Sequence, residues 1–142
     1  MGDIRGKVAL WDVATRSCTA TLTGHTDRVQ CCAWSPDGSR FVTASRDNTL
    51  KLWSAAAPFS CTATLRGHEN VVRSCAWSPD GRTIASGSDD KMLKLWDAAT
   101  ASCVATLEHD EGVNTCAWRP DGRTLASGAD DTAITLWDVQ RS

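Results

Sequence analysis

The chain has 142 residues, room for about one domain, and its 42% hydrophobic and 23% charged content is that of an ordinary packed protein. A net charge of −2 supplies no basic field that would draw it to nucleic acid or acidic lipid. No apolar run approaches the ~18 residues needed to cross a bilayer, and the opening MGDIRGKVAL lacks the apolar core of an export signal, so neither a nucleic acid nor a membrane is expected as a partner.

In chain order, the first recognisable element is VALWD (8–12), followed by SCTATL (17–22). After the pair Gly24–His25, the phrase CAWSPDG (32–38) runs an apolar stretch into a turn, and LKLWS (50–54) closes on Trp53. The middle copy is spelled most fully. VVRSCAW (71–77) is β-prone and bounded by SPDG, where Pro79 presets a turn and Gly81 supplies a permissive φ. RTIASGS (82–88) returns, its Ala85, Ser86 and Gly87 small enough to let a neighbouring sheet approach closely. A turn at DDKM precedes LKLW (93–96), and SCVATL (102–107) makes a fourth strand. The last copy holds CAWRPDG (116–122) and ITLWD (134–138). Trp11, Trp53, Trp96 and Trp137 are spaced by 42, 43 and 41 residues, and Trp34, Trp77 and Trp118 by 43 and 41, so all seven tryptophans obey one period. Short strands between turn signals, without any helical period, predict an all-β architecture of up-and-down antiparallel sheets.

Six of the seven cysteines fit the same frame. Cys18, Cys61 and Cys103 form one column and Cys32, Cys75 and Cys116 another, with Cys31 outside both. Lying in apolar stretches, they are expected to act as small buried hydrophobes, which favours a reducing, intracellular compartment, cytoplasmic or nuclear. With no C-x-x-C pair and three scattered histidines, a zinc site is poorly supported, and no metal or cofactor is expected.

The order GH … CAWSPDG … ASGSDD … LKLWD resembles the WD-repeat β-propeller family over residues 7–139. That resemblance implies blades of four strands, a to d from a central channel outward. On this scheme residues 1–142 form a single array. It comprises strands c and d at about 7–22, full blades at about 27–65 and 71–107, and strands a to c at about 113–137. The result is an incomplete ring of three-plus blades. The family is also known for a buried hydrogen-bonded set of His, Ser or Thr, Asp and Trp. The matching residues are His25, Thr43, Asp47 and Trp53, then His68, Ser86, Asp90 and Trp96, then His109, Ser127, Asp131 and Trp137. Three equal copies point to a structural role, because an enzyme needs one asymmetric site, and no catalytic residue is expected.

The sequence departs from the family pattern in places. The glycine that normally follows the tetrad Asp is replaced by Asn48, Lys91 and Thr132, which should cost on the order of 1 kcal/mol at Lys and Thr if a left-handed backbone is kept. WD is WS at Trp53–Ser54, and GH is EH at Glu108–His109.

A propeller needs about four blades to close, so this array is expected to expose two apolar blade faces and unpaired strand edges. SCTATL of one chain has the sequence to complete the last blade of another, giving six blades in a dimer or nine in a trimer; the rival is a fragment of a longer propeller. The functional expectation is a non-enzymatic scaffold binding a protein or peptide on the propeller's top surface. By family analogy its candidate contacts are Arg28, Gln30, Arg46, Val71, Arg73, Asp89, Gly112, Asn114 and Asp130. A propeller hydrolase built on Asp89, Asp110, Glu111 and Asp130 is the less favoured alternative, since no nucleophile or base accompanies them at motif spacing.

Overall fold

The computed structural model describes residues 6–56, 59–130 and 134–139. Its described residues form strands and no helix. A hairpin of β1 (Val8–Asp12) and β2 (Ser17–Leu22) comes first. Two four-stranded sheets follow: β3 (Val29–Trp34), β4 (Arg40–Ser45), β5 (Leu50–Ser54) and β6 (Cys61–Leu65), then β7 (Val72–Trp77), β8 (Thr83–Ser88), β9 (Met92–Asp97) and β10 (Cys103–Glu108). A three-stranded sheet of β11 (Val113–Trp118), β12 (Thr124–Ala129) and β13 (Ile134–Asp138) ends the array. Every pairing is antiparallel between sequence neighbours, the arrangement of propeller blades, and the ring is not closed.

The connections repeat because their chemistry repeats. In each first hairpin Gly38, Gly81 or Gly122 has φ near +70° and donates its N–H to the carbonyl three residues back, at Ser35, Ser78 or Arg119. Near its start each first strand also carries a register shift, between Val29 and Cys31, Val72 and Ser74, and Val113 and Thr115. These bulges fall just where the strand meets its neighbouring blade.

The core lies between sheets rather than within them. Val42, Leu50, Leu52 and Leu65 of the first full blade pack with Val72, Ile84 and Trp96 of the second. Ala85, Leu93 and Leu95 meet Val113 and Leu125 in the same way. Val8 joins Phe41 and Trp53 at the N-terminal junction. A four-stranded sheet of this size cannot hide both faces alone, so each blade depends on its neighbour. The small residues of β8 make that contact close: a Cβ on Gly87 would lie 2.6 Å from Val113 Cγ1.

The array ends are apolar and open. Trp34 on β3 is 57% exposed, and Ile134 and Leu136 on β13 are 79% and 70% exposed. Their interior counterparts Leu93 and Leu95 are buried.

One sequence expectation is corrected. Only Cys75 and Cys116 are buried; Cys18, Cys61 and Cys103, at the start of the outermost strands, are exposed, as is Cys32. The outer strand of a blade has a neighbour on one edge alone, and Cys32 lies on the face that no preceding inner strand covers, so apolar flanking sequence does not ensure burial.

Candidate functional site

The tetrads are built across four elements. The loop before each blade delivers His25 or His68, the second strand supplies Thr43 or Ser86, the turn after it Asp47 or Asp90, and the third strand Trp53 or Trp96. His25 Nδ1 lies 2.8 Å from Asp47 Oδ2, its Nε2 lies 2.6 Å from Thr43 Oγ1, and Trp53 Nε1 donates to that hydroxyl at 2.9 Å. The second set repeats these contacts at 2.8, 2.7 and 2.8 Å. In the third, Ser127 Oγ sits 2.9 Å from both His109 Nε2 and Trp137 Nε1. Asp131 and Thr132 lie outside the described residues.

Donor counting assigns the protons. An indole N–H can only donate, so the hydroxyl accepts it and turns its own O–H toward His Nε2. Nδ1 then carries the proton donated to the carboxylate. Burial pushes the His25 and His68 imidazoles below the ordinary 6.5, against the opposing hydrogen bonds of Asp47 and Asp90. For those two carboxyls burial is the largest single influence and acts upward. Hydrogen bonds together outweigh it, from Thr49, His25 and the Thr26 N–H at Asp47, and from the Glu69 N–H, His68 and the Met92 N–H at Asp90, holding both below the usual carboxylate range. Near neutral pH each of these two sets is therefore a neutral imidazole between a carboxylate and a hydroxyl.

This arrangement shares its residue types with a hydrolytic triad but cannot act as one. Thr43 and Ser86 are 0% exposed and Ser127 2%, and each hydroxyl oxygen already accepts from an indole. No substrate carbonyl can reach that oxygen. The chemistry available is rigidity: the tetrad ties a loop, a turn and two strands into one unit.

Above the tetrads, the predicted contact residues gather along one edge. Arg46 N–H donates to the Arg28 carbonyl at 2.8 Å, Asp89 N–H to Val71 at 2.9 Å and Asp130 N–H to Gly112 at 3.0 Å, so each turn is pinned to the entrance of its own first strand. Arg73 grips Asp89 through Nε and Nη2 at 2.5 and 2.8 Å, and Asn114 Nδ2 donates to Asp130 Oδ1 at 2.5 Å. Gly112 brings the two acids together across blades: a Cβ there would lie 3.0 Å from Asp130 Oδ2 and 3.5 Å from Asp89 Oδ1. Hydrogen bonding to Asp89, with further attraction to Asp130, raises the Arg73 guanidinium. Arg28, Gln30 and Arg46 are exposed, and Val71 and Asp89 half-buried. The edge thus runs from two arginines in the first full blade, through an ion pair, to an acid.

Sequence reasoning passed over the supports of these turns. Ser45 Oγ donates to the Arg28 and Asp27 carbonyls and accepts the Asp47 N–H; Ser88 does the same between Asn70 and Asp90. Thr49 adds a hydroxyl bond of 2.6 Å to Asp47. The signal was present as a serine two residues before each of these two aspartates.

The family model described as WD domain, G-beta repeat, matches residues 16–54, 59–97 and 101–138. The chain is 46% identical over 52 residues to the WD repeat-containing protein srw1 of Schizosaccharomyces pombe, a match covering 37% of this chain and 9% of that protein. It is 45% identical over 53 residues to Protein FIZZY-RELATED 2 of Arabidopsis thaliana, with 37% and 11% covered. Against the Retinoblastoma-binding-like protein E of Dictyostelium discoideum the identity is 41% over 51 residues, with 36% and 10% covered. The matched part of the chain spans about a tenth of the length of these relatives.

Proposed function

The chain belongs to the WD-repeat family, and on that premise we propose that it is a non-enzymatic scaffold that binds a protein or peptide along the tetrad-supported edge. The observation that carries this reading is the row of charged side chains held by rigid turns, changing sign from Arg28 and Arg46 to Asp130. Fixed turns let such a row meet a complementary partner without a large ordering cost, and arginines are favoured anchors at interfaces. A relative named as retinoblastoma-binding-like fits an interaction role. The partner is of mixed charge, acidic where it meets Arg28 and Arg46 and basic where it meets Asp130.

Peptide display against the purified chain tests this. Selected peptides should lose at least about tenfold in affinity with Arg46→Glu and with Asp130→Lys. Peptides indifferent to both changes, or a hydrolase activity abolished by Asp89→Ala and Asp130→Ala, would refute the scaffold reading.

The exposed Trp34, Ile134 and Leu136 favour a second element of the proposal. Further blades cover these faces in the working protein, either from a second copy or from a longer chain of which this is a part. Molar mass at micromolar concentration separates the two: a discrete dimer or trimer supports the copies, and polydisperse aggregate supports the longer chain. The seven free cysteines support an intracellular setting.

A further inference from the structure

The geometry points to Cys31 and Cys75 as a peroxide-responsive thiol pair that oxidises to a disulfide between the innermost strands of neighbouring blades. Cys31 is the one cysteine outside the two repeated columns, and its place in the later blades is taken by Ser74 and Thr115. What that position touches is shown one blade on, where Ser74 Oγ lies 3.4 Å from Cys116 Sγ. One repeat back, Cys31 and Cys75 hold the same two positions. Cys31 Sγ lies 3.8 Å from the Cys75 carbonyl oxygen, and Cys75 Sγ 3.9 Å from that of Val42, so both sulfurs occupy the seam between the blades.

The two thiols are unequal in a useful way. Cys31 is half-buried and follows the bulge of β3, whereas Cys75 is buried. The side-chain hydrogen bond with Cys75 is the largest influence on Cys31 and draws its thiol down to about 6, against the opposing effect of burial. The same bond, with burial, pushes Cys75 up. Cys31 is thus the nucleophile and Cys75 the resolving thiol.

With hydrogen peroxide as oxidant, the Cys31 thiolate attacks one oxygen and the O–O bond breaks. The sulfur is oxidised to a sulfenic acid, and the departing hydroxide takes a proton to leave as water. Cys75 sulfur then attacks the sulfenic sulfur, its proton leaves with the displaced hydroxyl as a second water, and the S–S bond forms. A dithiol reductant reverses the change. The bond would add a covalent staple between two blades otherwise joined by packing and by hydrogen bonds from Trp77 Nε1 to the Ala33 carbonyl and from Arg40 to the Ala98 carbonyl, beneath the edge proposed to bind a partner.

The test treats the whole chain with hydrogen peroxide and maps the products by peptide mass spectrometry. The expected result is an intramolecular link between the Cys31 and Cys75 peptides, lighter by about 2 Da, released by dithiothreitol. Cys31→Ser, which installs the residue found at position 74, should lower its yield at least about tenfold while leaving the far-ultraviolet spectrum unchanged. Cys75→Ser should stop the reaction at a dimedone-trappable sulfenic acid on Cys31. Because the wild-type map needs no variant, a folding defect in either substitution leaves the question answerable. Oxidation confined to Cys18, Cys32, Cys61 or Cys103, with Cys31 still reduced, would overturn the proposal.

Discussion

The phrase CAWSPDG occurs twice, letter for letter, and its two tryptophans have different fates. Trp77 is 8% exposed, donates from Nε1 to the Ala33 carbonyl at 3.0 Å and lies under the Arg40 guanidinium, 5.2 Å from the ring centre. Trp34 is 57% exposed and has Phe41 as its ring neighbour, at 5.2 Å. The difference is the preceding blade: β3 stands before β7, whereas the hairpin β1–β2 offers β3 no such inner strand. Covering an indole by the missing half of its surface stabilises by about 3 kcal/mol. The same seven residues therefore contribute unequally, and the repeat alone does not reveal which copy matters.

The sharpest way to break this comparison is to truncate both rings. Trp77→Ala should destabilise by about 3–5 kcal/mol, the range for a buried aromatic, and Trp34→Ala by less than about 1 kcal/mol. Urea unfolding followed by circular dichroism reads both. Equal losses would mean that something covers the Trp34 face in solution, and repeating the measurement at several protein concentrations would identify self-association.

A second pair compares an interior tetrad with the terminal one. Ser86→Ala strands the Trp96 N–H and the His68 ring in a sealed site and should cost about 2–3 kcal/mol. Ser127→Ala removes the same bonds from His109 and Trp137, both half-buried, so water can replace part of the loss and the expected cost is about 1 kcal/mol. Thermal midpoints that fall equally would show the terminal blade to be as closed as the middle one.

What could be read from the sequence, and what could not, follows the same line. The all-β class and the repeated blade were legible because period and turn chemistry are local: a Pro–Asp–Gly turn or a tryptophan every 42 residues needs no partner to be recognised. Exposure was not legible, because it depends on which neighbour is present. Cys18, Cys61 and Cys103 sit among apolar letters and are exposed, while Cys75 is buried only because β3 and β4 lie against β7. Ser45 and Ser88 escaped notice for another reason: serine before a turn is common, and only its bonds to the loop that enters the same blade show its role.

Acid should act on the well-packed blades through their histidines. The folded His25 and His68 imidazoles lie below the ordinary 6.5, so the unfolded chain takes up protons first as pH falls. The stability they contribute is fully present above 6.5 and is lost progressively below it. Asp47 and Asp90, also depressed, add a loss of the same sign below 3.8. Denaturation midpoints measured from about pH 7.5 down to 5 should decline once pH drops under 6.5. A flat or rising profile over that interval would contradict the neutral-imidazole assignment.

The smallest expected effect compares two turns of one shape. Asn48 and Lys91 follow the tetrad aspartates with φ of 74° and 72°, and each donates its N–H to the serine three residues back, at 3.3 Å. Asparagine tolerates this left-handed backbone, while lysine, with its Cβ against the carbonyl, is strained by about 1 kcal/mol. Lys91→Gly relieves that strain and gives back part of it through the freer unfolded chain, for a net gain of about 0.5 kcal/mol, whereas Asn48→Gly should change stability by about zero or slightly for the worse. Differential scanning calorimetry on the two variants resolves a difference of this size. A gain at both positions would place the strain in the turn itself, and a gain at neither would mean that the Lys91 carbonyl, which accepts the His109 N–H at 2.8 Å, holds the turn firmly enough to absorb it.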